Sequence, residues 1–130
     1  EFFRVFKKEL SGDVMKDAEA VAEAAAKWKT IIVLKGQTDI ISDGKITKFN
    51  TTGHPGMSVG GTGDVLTGII GSLLAVIKNP FQAACLGTYI SGTAGELAAE
   101  VYGDGLMASD IPNYINEVIK KALEFKAKEI

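Results

Sequence analysis

The sequence predicts an α/β fold in which helices pack on a small sheet. A helical pattern of apolar residues covers residues 14–28, and the continuous β-branched run Thr30–Leu34 follows it directly. Two further strand-like runs flank Asp43-Gly44, and helical patterns fill most of the chain after residue 64. Because a fully apolar strand needs cover on both faces, these patterns favour helices layered against a sheet.

Composition places the chain among globular proteins of one domain. It has 130 residues, 46% of them hydrophobic and 23% charged, and a formal net charge of −2. The chain has no block of basic residues, so nucleic acid is not predicted as a partner. No apolar run reaches the roughly 18 residues that a membrane helix needs. One cysteine excludes an internal disulfide framework and fits a cytoplasmic protein. With one histidine as well, we predict no metal site built from side chains.

Two helices are predicted at the start of the chain. Residues 1–9 favour a short helix anchored by phenylalanines, and Asp13 is the predicted N-cap of a longer one. Asp17 is expected on a solvent-facing side of that second helix. Its buried face is predicted from apolar residues at helical spacing: Val14, Ala18, Val21, Ala25 and Trp28.

Three strands are predicted next. The run Thr30–Leu34 lacks polar alternation, which is typical of a strand in a sheet that is covered on both faces. The runs Thr38–Ser42 and Lys45–Phe49 flank Asp43-Gly44, a strong signal for a two-residue hairpin loop.

Three helices are predicted in the remainder of the chain. The first runs from Val65 to about Ile77, and two internal glycines, at positions 68 and 71, indicate close approach to another group. Asn79-Pro80 is a cap followed by a first-turn proline, and Gly103 is the expected stop. Small residues along this second helix indicate tight packing. The last helix is expected to begin at Ser109 or Asp110, with an apolar face reaching residue 125.

The stretch Asn50–Asp64 is the candidate functional site. It holds five of the chain's fifteen glycines and its one histidine, and it ends at a helical pattern. Backbone N–H groups at a helix start bind anions, and glycine permits close approach. We predict that the N–H groups of Gly61–Gly63 receive phosphate oxygens and that Asp64 is a general base. The alternative is a flexible loop with Asp64 as a helix cap. Neither the Gly-Lys-Ser/Thr phosphate loop nor the dinucleotide fingerprint is present.

The longer string carries a family resemblance. Asn50-x-Thr52-Gly53-x-x-Gly56-Met57-Ser58-x-Gly60-Gly61-Thr62-Gly63-Asp64-Val65-Leu66 resembles the signature of the ADP/ATP-dependent NAD(P)H-hydrate dehydratases of the ribokinase-like (carbohydrate-kinase-like) superfamily. Lys35–Asp39, after the apolar strand, resembles that family's Lys-Gly nucleotide-contact segment. Met107–Asp110 resembles its turn before the last helix. The resemblance covers the whole chain.

The resemblance implies a ribokinase-like three-layer α/β/α fold. Residues 1–130 would be the C-terminal part of a single catalytic domain, comprising a helix, a parallel strand, a β-hairpin and three helices. The chain begins at Glu1 without a methionine and inside a helical pattern, so we expect the upstream half to be absent. A homo-oligomer is also expected.

The resemblance further implies a metabolite-repair activity. Such an enzyme dehydrates hydrated NADH or NADPH with ADP or ATP as phosphate donor, and Mg²⁺ is the expected accompanying ion. Asp64 would be the catalytic base and, with Gly60, a substrate contact. His54 stands where the family often has asparagine, so it is expected to pack in the loop or face solvent and not to act in catalysis. The implied nucleotide contacts are Lys35, Gly36, Gln37, Thr38, Asp39, Asn50, Thr52, Gly53, Gly61, Thr62 and Gly63.

Two alternative functions stay open. A small-molecule kinase of the same superfamily would use the same anion site and Asp64, because its first chemical step is the same. A nucleotide-binding module without turnover would need the anion site alone. The Gly56-Met57-Ser58 lead-in favours the dehydratase, since it resembles that family in particular.

Overall fold

The computed structural model describes residues 1–128, and side chains through residue 124. In this range helices lie on both faces of a three-stranded sheet, which agrees with the predicted α/β class. None of these helices is long and apolar enough to cross a membrane. Short 3₁₀ helices cover Pro55–Met57, Gly103–Gly105 and Ala108–Tyr114. The other elements are α1 (Phe2–Phe6), α2 (Val14–Trp28), β1 (Ile32–Leu34), β2 (Asp39–Ser42), β3 (Thr47–Asn50), α3 (Thr62–Leu74), α4 (Pro80–Tyr102) and α5 (Ile115–Lys128).

Helix α2 begins at the predicted cap and covers one face of the sheet. The Asp13 carboxylate accepts hydrogen bonds from the N–H groups of Met15 and Lys16, each at 3.0 Å. Its central alanines and Val21 pack with the buried side chains of β1 and β2. The prediction was wrong at both ends, because Val14 and Trp28 are 42% and 58% exposed. A 15-residue helix is longer than strands of three or four residues, so its ends extend past the sheet.

Asp17 was wrongly predicted to face solvent. It is only 9% exposed. Its carboxylate accepts hydrogen bonds from the Ser11 N–H at 2.6 Å, the Ser11 hydroxyl at 2.9 Å and the Gly12 N–H at 3.1 Å. These bonds, the one from the Ser11 N–H foremost, hold the pKa of Asp17 below its usual value. The carboxylate therefore ties the α1–α2 turn to α2.

The sheet is antiparallel throughout its described strands, in the order β1-β2-β3. The predicted parallel pairing of the first strand does not occur among the described residues, because β1 pairs antiparallel with β2. Only residues 35–38 connect these two strands, whereas a parallel return needs a crossover of about a dozen residues. Both faces of the sheet are covered as predicted, by α2 on one side and α4 on the other.

The hairpin between β2 and β3 is present, but its loop is longer than predicted. Ser42 pairs with Thr47, so residues 43–46 form the loop. The Asp43 carboxylate accepts the N–H groups of Lys45 at 2.8 Å and Ile46 at 2.7 Å, which stabilises this wider turn. Gly44 has φ +86°, and a Cβ there would lie 2.5 Å from the Ala26 nitrogen. Glycine therefore lets the hairpin loop contact the backbone of α2.

Helix α4 follows its sequence signals. The Asn79 side chain accepts the Gln82 N–H at 3.1 Å, Pro80 is the first helical residue and Gly103 ends the helix. Its glycines allow the predicted tight packing. A Cβ on Gly87 would lie 2.6 Å from Ile70 of α3.

Helices α3 and α5 begin elsewhere than predicted. Helix α3 starts at Thr62, because Gly61 with φ +95° turns the chain directly into it, so Asp64 lies inside the first turn. A Cβ on Gly68 or Gly71 would meet no atom within 4 Å among the described residues, so the close neighbour predicted for them is missing there.

Helix α5 starts at Ile115, after a 3₁₀ segment that contains Pro112. A proline disfavours the α conformation at the residue before it, here Ile111. The side chain of residue 125 lies outside the described ones.

Gly44→Ala is predicted to destabilise the protein more than Gly12→Ala. Both positions have positive φ, which costs a non-glycine residue about 1–2 kcal/mol, but a Cβ on Gly12 has no atom within 4 Å. At Gly44 the new methyl group would also clash with Ala26, which adds about 1–3 kcal/mol of overpacking. Urea unfolding of the two variants measures the difference. Equal losses would show that the contact with α2 is not tight.

Asp17→Asn is predicted to flatten the acid dependence of stability. Because the folded-state pKa lies below the ordinary value of 3.8, the ionised carboxylate stabilises the fold above that value. This contribution is lost as the pH falls through the folded-state pKa. Urea unfolding between pH 6 and pH 2 should show the loss in the wild type, a smaller loss in Ser11→Ala and the smallest in Asp17→Asn. An unchanged slope in Asp17→Asn contradicts the assignment.

Candidate active site

A cleft of about 700 Å³ lies at one end of the sheet. Its walls are the turn after β1, the loop that follows β3, and parts of α3 and α4. A volume of this size suits a small-molecule ligand. Seven of the predicted site residues line it: Lys35, Gly36, Gln37, Asp39, Thr52, Gly53 and Thr62.

Sheet topology brings the two loops of this cleft together. Strands β1 and β3 both run antiparallel to β2, so the end of β1, the start of β2 and the end of β3 share one edge. The segments 35–38 and 51–53 therefore leave the sheet side by side. Segments that the sequence predicts separately become neighbouring walls.

A second open cleft, of about 730 Å³, lies between the end of α2, the hairpin loop and Pro80. Its ionisable lining groups are Lys29, Asp43 and Lys45, and it contains none of the predicted site residues. The carboxylate of Asp43 is already engaged in its own turn. The cleft at the sheet end is therefore the better candidate.

Lys35 and Thr62 meet in the first cleft. The Lys35 ammonium donates to the Thr62 hydroxyl at 3.2 Å, and that hydroxyl also bonds the Val59 carbonyl oxygen at 3.3 Å. Thr62 is 5% exposed and is the first residue of α3. The ammonium is thus held at a helix N-terminus, where the dipole is also positive. Together they favour an anion.

The start of α3 leaves backbone donors for that anion. The N–H groups of Asp64 and Val65 donate to the Gly61 carbonyl oxygen, each at 3.1 Å. The N–H groups that precede them have no helical acceptor, as is general for a first turn. A Cβ on Gly61 would lie 3.1 Å from Ala108, while Gly60 and Gly63 have open space beside them. Gly61 therefore permits the turn, and Gly60 and Gly63 leave space for a ligand to approach the backbone.

Asp64 is exposed and lies in the first turn of α3, two residues beyond Thr62. It is not part of the cleft lining, and neither are Gly60, Gly61, Gly63 and Thr38. The Asp64 carboxylate therefore faces solvent on the first turn of α3.

Asn50 lies behind the cleft wall and not on it. It is 8% exposed. Its side-chain amide donates to Asp39 Oδ2 at 3.1 Å and its oxygen accepts the Thr52 hydroxyl at 2.9 Å. The other Asp39 oxygen accepts the Gly36 N–H at 3.1 Å. The predicted contact residues Asp39, Asn50 and Thr52 are therefore bonded to one another.

Two further side chains shape the loop. Glu96 of α4 accepts the Gly53 N–H at 2.8 Å, a contact across 43 positions that no local signal indicates. His54 Nδ1 accepts the Gly56 N–H at 3.1 Å and caps the 3₁₀ turn that follows. This bond agrees with the predicted loop-packing role of His54, and an asparagine oxygen could make the same bond.

Helix α4 packs closely against the loop because it carries glycine at two of the contact positions. A Cβ on Gly92 would lie 2.7 Å from the Thr52 carbonyl oxygen, and one on Gly95 would lie 2.6 Å from Met57 Cε. These distances leave no room for a methyl group. The loop position therefore depends on both glycines.

Three comparisons relate this chain to known proteins. The sequence model described as NAD(P)H-hydrate dehydratase matches residues 1–117. The bifunctional NAD(P)H-hydrate repair enzyme Nnr of Methanopyrus kandleri is 40% identical over 122 residues, 92% of this chain and 24% of that protein. The ADP-dependent (S)-NAD(P)H-hydrate dehydratase of Cenarchaeum symbiosum is 42% identical over 120 residues, 92% of this chain and 42% of that protein. The chain thus spans less than half the length of these relatives.

A solved structure shares the fold. The ADP/ATP-dependent NAD(P)H-hydrate dehydratase of Bacillus subtilis, co-crystallised with ATP/Mg²⁺, is 32% identical with a TM-score of 0.84. The match covers 92% of this chain and 44% of that chain. It confirms that the arrangement of helices and strands described above is that of a portion of a ribokinase-like α/β domain.

Gly92→Ala is predicted to destabilise the protein by about 1–3 kcal/mol, because the Thr52 backbone must move. Gly71→Ala is the matched control. It is also a helical glycine, but with open space beside it, so it should raise the free energy of unfolding by up to about 1 kcal/mol. Urea unfolding of both variants tests the pair. A stabilised Gly92→Ala would contradict the close contact.

Proposed function

This chain belongs to the NAD(P)H-hydrate dehydratase family, and from that premise we propose that the protein containing it dehydrates hydrated NADH and NADPH with ADP or ATP as phosphate donor. The observation that carries the proposal is the Lys35–Thr62 contact at the start of α3, beside Asp64. Cation, backbone donors and carboxylate stand together there, as phosphorylation of a hydroxyl requires.

The chemistry proceeds in two steps. Asp64 accepts the proton of the hydrate's hydroxyl group while that oxygen bonds to the terminal phosphorus of the nucleotide and the shorter nucleotide leaves. The new phosphate ester is a better leaving group than hydroxide. Loss of phosphate and of a proton from the neighbouring carbon restores the double bond of the reduced nicotinamide.

The residues of the cleft supply electrostatic stabilisation for the first step. Charge accumulates on the transferring phosphoryl group, and the Lys35 ammonium with the N-terminus of α3 opposes it. Gly60 and Gly63 leave space for phosphate and substrate to reach the backbone. The remaining predicted contacts on segments 36–38 and 52–53 would bind the rest of the nucleotide.

We infer that Mg²⁺ enters on the nucleotide and not on a site preformed by the described residues. Among the described residues no three potential metal-binding side chains cluster together. The carboxylates of Asp39 and Glu96, which border the cleft loops, already accept hydrogen bonds. Mg²⁺ commonly uses substrate phosphates and water with only one or two carboxylates, which fits this arrangement.

Several finer features of the proposed function are inferred from the relatives of this chain. ADP is the preferred donor in our proposal, since the Cenarchaeum symbiosum relative is named ADP-dependent. Residues outside this chain would complete the catalytic domain and supply the opposite wall of the site. We also propose a cytoplasmic homo-oligomer. Light scattering of the full-length protein would measure its assembly.

The activity itself is tested with full-length protein, hydrated NADH and either ADP or ATP. The dehydratase restores NADH absorbance and releases inorganic phosphate. A small-molecule kinase would consume the donor without restoring absorbance, and a binding module would do neither. The latter two outcomes each contradict the proposal.

Asp64→Asn is predicted to lower the kcat for dehydration by about 10²–10⁴-fold, because the general base is lost. ADP affinity, measured by calorimetry, should stay within a few-fold, since Asp64 does not line the cleft. Glu100→Gln removes an exposed carboxylate at the far part of α4 and should leave both quantities unchanged. Normal turnover by Asp64→Asn would show that the base assignment is wrong.

A further inference from the structure

We infer that Asp39 and Asn50 are a positioning pair that sets the spacing between the two loop walls of the cleft. This inference deepens the proposed function and rests on nucleotide binding in that cleft. The two residues face each other in the β2–β3 register, as the last cross-strand pair of the ladder. Directly paired side chains on one sheet face lie within contact distance of each other.

A continuous chain of hydrogen bonds passes through this pair. Asp39 holds the Gly36 N–H with one carboxylate oxygen and the Asn50 amide with the other, each at 3.1 Å. Asn50 in turn accepts the Thr52 hydroxyl at 2.9 Å and donates to the Thr52 carbonyl oxygen at 3.4 Å. The chain therefore links Gly36 on one wall to Thr52 on the other.

Loss of these bonds would move the walls of the cleft, because of where the pair lies. Asn50 is 8% exposed, so a lost partner is not readily replaced by water. Thr52 lies against the backbone of Gly92, and its hydroxyl is 3.4 Å from the Tyr89 carbonyl oxygen of the same helix. Lys35, next to Gly36, reaches Thr62 of α3. A shift of segment 35–38 or of segment 51–53 would therefore change the distance between the Lys35 ammonium and the opposite loop wall.

The same bonds show that Asn50 acts through other residues. Its amide oxygen is used by Thr52, its amide nitrogen by Asp39 and Thr52, and the residue does not line the cleft. Asp39 does line the cleft, yet both of its oxygens accept internal hydrogen bonds. Positioning, and not direct contact, is therefore the role assigned to the pair.

The opposite end of the same ladder offers a matched control. There Thr47 pairs with Ser42, and its hydroxyl bonds the Ser42 hydroxyl at 2.9 Å. This polar pair joins the same two strands but sits beside the hairpin loop, at the other end from the cleft. Thr47→Val removes its cross-strand bond and should affect stability alone.

The test uses the full-length protein and the variants Asn50→Asp, Asp39→Asn and their double exchange. Asn50→Asp sets two carboxylates against each other, and we expect a rise in the ADP Kd of roughly 10-fold or more. Asp39→Asn leaves two amides, one of which must rotate away from its present partner, and we expect a smaller rise. In the double exchange the amide at position 39 can donate to the carboxylate at position 50, which still accepts from Thr52, and only the long bond to the Thr52 carbonyl oxygen is lost. Affinity should return to within a few-fold of the wild type.

Calorimetry gives the ADP Kd, steady-state kinetics with hydrated NADH give KM and kcat, and circular dichroism gives the unfolding midpoint. The positioning role predicts a raised nucleotide KM with kcat changed less than about fivefold. Thr47→Val should lower the midpoint and leave the Kd and KM unchanged. Recovery of affinity in the double exchange is the result that a general loss of stability would not produce.

The inference is overturned if folded Asn50→Asp binds ADP as the wild type does, or if Thr47→Val weakens binding equally. A folded double exchange without recovered affinity overturns it too. Failure of the proposed function looks different. In that case the wild type binds ADP but restores no NADH absorbance, and the Kd series still decides the positioning role. A wild type that binds neither ADP nor ATP overturns both.

Discussion

The close approach of α4 to its neighbours is the contact on which the site depends. Three positions of this helix carry glycine where a larger residue would not fit. Gly87 lies against α3, and Gly92 and Gly95 lie against the loop after β3. Glycine inside a helix costs about 1 kcal/mol relative to alanine. That cost is offset by packing that holds the site loop and α3 on one scaffold. Glu96, on the same helix, adds a hydrogen bond to the loop at Gly53.

The chemistry of the site follows from where α3 begins. Gly61 adopts a backbone conformation that suits glycine, and the chain passes from the loop into the helix within one residue. The first N–H groups, the Thr62 hydroxyl and the Lys35 ammonium therefore converge on one point. Asp64 lies on the same turn, outside the cleft lining. Because Asp64 does not line the cleft, the space beside the ammonium stays open to an anion.

Sequence signals succeeded where the physical cause lies within a few residues. Asp13 and Asn79 cap helices by bonding N–H groups two or three positions on, so their neighbours alone predict the caps. Gly103 ends α4 for an equally local reason. The hairpin loop is an exception. Its length was predicted wrongly although the cause is equally local, since the Asp43 carboxylate accepts N–H groups two and three positions on. The two segments that line the cleft were also selected from the sequence, through their glycines and their family resemblance, and their role in binding stays a prediction.

The sequence by itself determined the α/β class, the order of its helices and strands, and the two segments that form the cleft. Only the tertiary structure decided how those segments meet. Asp17 is buried because the turn at Ser11 presents its donors there, and Asn50 is a structural link because β3 pairs it with Asp39. Lys35 reaches Thr62 across 27 positions. Such contacts depend on strand direction and helix packing, and neither is encoded in the spacing of neighbouring residues.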